Sequence, residues 1–190
     1  MHTRRILATV ASAATAAVLV GTPALADPTA DTTVTFTVNA GTLDITAPLS
    51  ANLGAGAPGT DISDQLGTVE VTDTRASADA SWVATVTSTD FTTGVTPTAT
   101  ETIAAELVDY WSGPATVGPT GTGTFTEGQT AAGDAEPLND GVTPNVPVTA
   151  FTHTGGTGNN SVGWNPTLVV HVPLANEAGL YTGTVTHSVA

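Results

Sequence analysis

Apolar and polar residues alternate with a period of two along much of this chain, and that pattern leaves few folds open. Val34, Phe36 and Val38 alternate with Thr33, Thr35 and Thr37; Leu43 and Ile45 alternate with Thr42, Asp44 and Thr46. Val69 and Val71 are spaced by Thr68, Glu70 and Thr72, and Trp82, Ala84 and Val86 by Val83, Thr85 and Thr87. Near the end, Tyr181, Gly183, Val185, His187 and Val189 alternate with Thr182, Thr184, Thr186 and Ser188. Successive side chains of a strand point to opposite faces, so each segment reads as a half-buried antiparallel strand with threonine outward. Threonine is β-branched and suits a pleated, half-solvated surface. The apolar faces must cover one another, which predicts an all-β fold, an antiparallel β-sandwich of immunoglobulin-like or Greek-key type.

Turn chemistry separates these runs. Gly54-Ala55-Gly56-Ala57-Pro58-Gly59, Asn139-Asp140-Gly141 and Gly155-Gly156-Thr157-Gly158-Asn159-Asn160 supply positive or fixed φ where the chain reverses. Ile103 to Trp111 has a helix-favouring Ala-Ala-Glu-Leu centre, but Ile103, Ala105 and Leu107 also alternate, and the segment is read as a strand. Residues 112–146, rich in Gly, Pro and Thr, are expected to form an irregular insertion or long hairpin. With no repeat and no shift of composition, residues 27–190 read as one domain.

The first 26 residues have a different character. His2-Thr3-Arg4-Arg5 is a short positive start, Ile6 to Val20 an apolar run, and Ala24-Leu25-Ala26 a small-x-small cleavage site after Pro23. These are the three parts of a secretory signal peptide in order, so residues 1–26 are expected to be removed and the exported chain to begin at Asp27. No further run in the remaining chain is apolar and long enough to span a bilayer. Losing Arg4 and Arg5 takes the net charge from −14 to −16: all 17 acids lie beyond residue 26, where Arg75 is the single base and lysine is absent. Such a surface repels nucleic-acid backbones and excludes that class of partner. No cysteine is present, so no disulfide supports the fold even though export would permit one.

The chemistry-bearing residues are sparse. Asp61 with Asp64, or Asp134 with Glu136, are candidate acid–base pairs, but all sit in turn-like segments that read as solvated acidic surface. His153, His171 and His187 have no metal-ligand spacing, and no cofactor is expected beyond weak calcium binding by Asp61, Asp134 or Asp140. Ser161 lacks the setting of a nucleophile elbow. The spaced threonines of 122–126 and 182–186 lack the fixed period of an ice-binding ladder. No enzyme is expected. Asp73 and Arg75 fall on one side of an extended segment, which predicts a structural ion pair. Trp82, Trp111, Trp164, Tyr181 and His187 are the candidate wall- or glycan-binding residues, because aromatic faces can stack on sugar rings.

The order of motifs resembles the WxL domain of Gram-positive surface proteins. Gly41-Thr42-Leu43-Asp44-Ile45 matches its opening Gly-x-Leu-x-Ile strand. Val71-Thr72-Asp73-Thr74-Arg75 matches its Val-x-Asp-x-Arg stretch, which leads into Ser81-Trp82-Val83-Ala84-Thr85-Val86. Ala178-Gly179-Leu180-Tyr181 leads into a closing Thr186-His187-Ser188-Val189. Ala84 stands in place of the first signature's Leu, and His187 and Val189 replace the Trp and Leu of the second. The resemblance implies a secreted, non-enzymatic protein, extracellular or held non-covalently at the cell wall, with peptidoglycan or another surface glycan as partner. The chain carries no sortase-type anchor, which fits non-covalent attachment. A carbohydrate-binding module or accessory of a secreted glycan-active enzyme is the alternative.

Overall fold

The computed structural model describes residues 28–141 and 147–190; the leader and cleavage site expected at residues 1–26, and Asp27, lie outside them. The chain divides into two units, residues 1–37 and 38–190. In the first, residues 28–37 are exposed and free of regular structure.

The second unit is all-β. Its strands are β1 (Leu43–Thr46), β2 (Asp61–Gln65), β3 (Val69–Ser77), β4 (Trp82–Ser88), β5 (Phe91–Thr92), β6 (Thr102–Ile103) and β7 (Val108–Trp111). They continue as β8 (Ala115–Thr120), β9 (Thr124–Glu127), β10 (Glu136–Pro137), β11 (Val148–Thr154), β12 (Gly158–Trp164), β13 (Thr167–His171) and β14 (Val185–Val189). Three four-stranded sheets run β1-β3-β12-β8, β10-β7-β13-β2 and β14-β4-β11-β9, with a two-stranded β5-β6 beside them. Every strand pairing among the described residues is antiparallel. No helix of the described residues is long and apolar enough to cross a membrane.

One core joins the three sheets. Val69 and Val71 from β3, Trp82, Ala84 and Val86 from β4, Tyr110 from β7, Phe151 from β11, Trp164 from β12 and Leu168 from β13 are buried in it. Phe151 and Trp164 stack with ring centroids 5.0 Å apart. Each large apolar side chain removed from water contributes about 1.5–3 kcal/mol. A β-bulge between Thr149 and Phe151 breaks the alternation of β11, so Ala150 and Phe151 both point inward.

The structure departs from the sequence pattern in three places. The Val34–Phe36–Val38 alternation forms no strand, and these side chains are 78%, 86% and 75% exposed. The β1–β3 ladder runs from Thr46↔Glu70 to Leu43↔Asp73 and is prolonged only to Gly41, whose N–H donates to the Thr74 carbonyl. Two residues further along β3, Ala76 has φ +53°, a left-handed conformation unusual for alanine. Ile103 to Trp111 is not one strand: a 3₁₀ turn at Ala105–Leu107 separates β6 from β7. The segment still buries Ile103, Ala105, Val108 and Tyr110. Residues 112–141 contribute β8, β9 and β10 to three different sheets, whereas 142–146 lie outside the described residues. β8 tolerates Pro119 because it is an edge strand, where a missing N–H costs no ladder bond.

Candidate functional site

Extended geometry puts alternate residues on one face, so Asp73 and Arg75 of β3 point the same way. Arg75 donates from Nε to Asp73 Oδ1 at 3.0 Å and from Nη2 to Asp73 Oδ2 at 2.9 Å, a bidentate fork. Nη2 also reaches the Ser81 carbonyl at 3.0 Å. Asp73 has no exposed surface, while the Arg75 side chain is 33% exposed. The Arg75 hydrogen bonds hold the Asp73 carboxyl below its usual range, and Asp73 in turn raises the Arg75 guanidinium. Asn160 of β12 completes the cluster: its Nδ2 donates to Asp73 Oδ2 at 3.2 Å, and its Oδ1 accepts from Trp82 Nε1 at 2.7 Å. Trp82 is therefore a buried residue with a satisfied N–H, 2% exposed, and presents its ring to the interior.

A second chain of hydrogen bonds, buried at Trp164 and Tyr110, joins Trp164 to the last strand. Trp164 Nε1 donates to the Tyr110 hydroxyl at 2.9 Å, and that hydroxyl lies 3.2 Å from His187 Nε2 on β14. Because Tyr110 Oη already accepts from Trp164, its own proton is free to go to His187 Nε2. Burial pushes the Tyr110 phenol well up and lowers His187 to about 4, so the imidazole is neutral at physiological pH. Trp111 is half-buried and donates from Nε1 to the Gln129 carbonyl at 3.1 Å. The hydroxyl of Tyr181 lies 2.9 Å from the Glu177 carbonyl and accepts from Asn176 Nδ2 at 3.3 Å. Trp164 and His187 thus meet through Tyr110, whereas Trp82, Trp111 and Tyr181 are each held by other partners.

The remaining polar candidates are dispersed. Asp61 Oδ1 lies 2.8 Å from His171 Nδ1, and Asp109 Oδ2 lies 3.0 Å from His171 Nε2. This surface bridge ties β2, β13 and β7, and the Asp109 and Asp61 hydrogen bonds raise the His171 pKa. Asp64 accepts from the Gln65 N–H, Asp134 from Thr130 Oγ1 and the Ala131 N–H, and Glu136 from Gln129 Nε2. His153 is buried between the carbonyls of Ala80 and Thr122, at 2.7 and 2.9 Å, and stacks on Phe125. Ser161 shares a 2.7 Å hydroxyl contact with Thr120. No group of three His, Cys, Asp or Glu among the described residues is arranged to hold a metal ion.

Asn160, Gln129, Tyr110 and Asp109 carry these networks, and sequence reasoning did not single them out. Asn160 follows Gly158-Asn159 and reads as turn chemistry, and Tyr110 reads as one more apolar strand residue. Tyr110 and Trp164 are 54 residues apart, and Trp82 and Asn160 are 78 apart, so no local spacing marks these partners.

One open groove of about 580 Å³ has Tyr181 of these candidates in its lining. Leu53, Ile62, Phe91, Ile103, Val172 and Leu180 line it, and Glu177 is the single acid among its lining residues. No family model and no curated protein matches the sequence.

Proposed function

We propose that the chain is an exported, non-enzymatic surface protein: a secretory leader at residues 1–26, then a β-sandwich of immunoglobulin-like or Greek-key type that associates non-covalently with cell-wall glycan. One observation carries this reading. The motif segments that resemble a WxL domain lie far apart in sequence but fold onto two shared ladders. On the first, Leu43 of the opening motif sits opposite Asp73 and Ile45 opposite Val71. On the second, Val189 and His187 of the closing segment sit opposite Ala84 and Val86, next to Trp82. Gly41 fits the same picture, because a Cβ there would overlap the Thr74 side chain and carbonyl. A non-catalytic role is supported by the candidate carboxylates, each of which is engaged by its own neighbours through hydrogen bonds to strand or turn groups.

Fractionation of a producing Gram-positive host tests the proposal. The protein is expected in the wall fraction, released by lithium chloride without wall digestion, and retained by purified peptidoglycan. Its intact mass should correspond to a chain beginning at Asp27. Protein found solely in the medium with no retention on peptidoglycan, or a mass that includes residues 1–26, overturns it.

A further inference from the structure

We propose that residues 33–38 are a donor strand that docks in the apolar groove of a second copy of this chain. The arm has the composition of a strand: Thr33-Val34-Thr35-Phe36-Thr37-Val38 puts three apolar side chains at alternate positions, and none of the six is charged. It lies in no ladder, and Val34, Phe36 and Val38 are exposed on it. A period-two strand with solvent-facing apolar residues is a template for pairing with another chain, and an extended peptide that fills pockets with alternate side chains is a recurring mode of recognition. At about 3.3 Å per residue the arm spans roughly 20 Å, with side chains on one face about 7 Å apart.

The groove supplies what such a strand needs. It is lined by apolar side chains, with Leu180 at its rim 85% exposed. Its wall at Gly54 and Ala55 belongs to no strand, and the space beside Gly54 is open, so a second backbone can come close there.

Charge restricts where two copies can meet. Two copies of the exported chain, with 17 acids and Arg75 as the single base, repel one another over most of their surface. The uncharged arm and a groove with Glu177 as its single acid are a pair of surfaces that can meet without that repulsion, and the Glu177 carboxylate is engaged by Thr100 Oγ1 at 2.9 Å. Arm and groove are different surfaces, so the contact is head-to-tail and propagates from copy to copy.

Sedimentation velocity on the chain purified from a secreting host tests this. The wild type is expected to form an open series of species that grows with concentration. Phe36→Asp, which removes the central anchor of the arm, and Leu180→Asp, which puts a charge on the groove rim, should each be monomeric. Both residues are exposed, and unchanged circular dichroism checks that the variants fold. Mixing the two variants should restore one junction, from the intact Leu180→Asp arm into the intact Phe36→Asp groove, and stop at a dimer. A wild type that stays monomeric at every concentration overturns the proposal. So does a Phe36→Asp variant that associates like wild type, or a mixture in which no dimer forms.

Discussion

Asp73 is a carboxylate with no surface left in water, and Arg75 is the residue that makes its burial tolerable. A buried charge left without a partner costs several kcal/mol, far more than an exposed ion pair contributes, which is about 0–1 kcal/mol. Replacing Arg75 with Ala strips two hydrogen bonds from Asp73 and one from the Ser81 carbonyl. Arg75→Ala is therefore expected to destabilise the fold by about 2–4 kcal/mol in urea denaturation. Arg75→Lys should recover part of the loss and no more, because an ammonium cannot serve both carboxylate oxygens in the plane of the fork. Coincident midpoints for wild type and both variants would show that Asp73 is held by Asn160 and the backbone alone. The pair was legible in the sequence for a simple reason: beyond residue 26 one base faces 17 acids, and a carboxylate stands two positions before it. The Asn160 and Ser81 contributions were not, since both come from other segments of the fold.

At the scale of strands, period-two alternation located β1, β3, β4 and β14 but could not say which strand lies beside which. β4 pairs with β11 and β14, and β3 with β1 and β12, so partners come from distant parts of the chain. Alternation also overreached at Val34–Val38, where the pattern of a strand is present without a ladder, and it missed the inward pair Ala150–Phe151 that the bulge creates. Two-residue strands such as β5, β6 and β10 are too short to show a period at all. His187 illustrates what pairing adds. β14 places it over β7, where it takes a hydrogen bond from Tyr110 and tolerates burial only while neutral. Its folded pKa of about 4 lies below the ordinary 6.5, so the unfolded chain binds the proton more readily. The stability it supports is fully present above pH 6.5 and is lost as the pH falls toward 4. The loss should amount to about 2–4 kcal/mol across that window, and His187→Gln should flatten it. His171 has the opposite sign: its pKa is raised by Asp109 and Asp61, so its contribution is present below 6.5 and fades as the pH rises. Urea midpoints measured from pH 4 to 8 on wild type and His187→Gln decide the matter. A wild-type profile that matches the variant below pH 6.5 would mean that His187 stays hydrated in the fold.

On the scale of the whole molecule, unbalanced charge governs the electrostatics. The acids are spread along the chain from Asp27 to Glu177, and a single guanidinium beyond residue 26 answers them. Folding brings those carboxylates closer together than they are in the unfolded chain, so their mutual repulsion opposes the compact state. The internal pair of Arg75 with Asp73 is half sheltered and responds weakly to salt, because buried charges are screened less than exposed ones. Repulsion among exposed carboxylates is therefore the interaction that salt can reach. The Debye length falls from about 30 Å at 0.01 M to about 3 Å at 1 M, which covers the range of distances between surface groups. Potassium chloride is expected to raise the thermal midpoint at pH 7, most steeply at low salt and levelling off by about 1 M. The increment should shrink at pH 3, where acid reduces carboxylate charge and with it the repulsion that salt can screen. Differential scanning calorimetry over this salt and pH grid tests the expectation. A midpoint that is flat or falls with salt at pH 7 would show that carboxylate repulsion is already relieved in the folded state. An increment of equal size at pH 3 and pH 7 would assign the salt response to general strengthening of apolar burial instead.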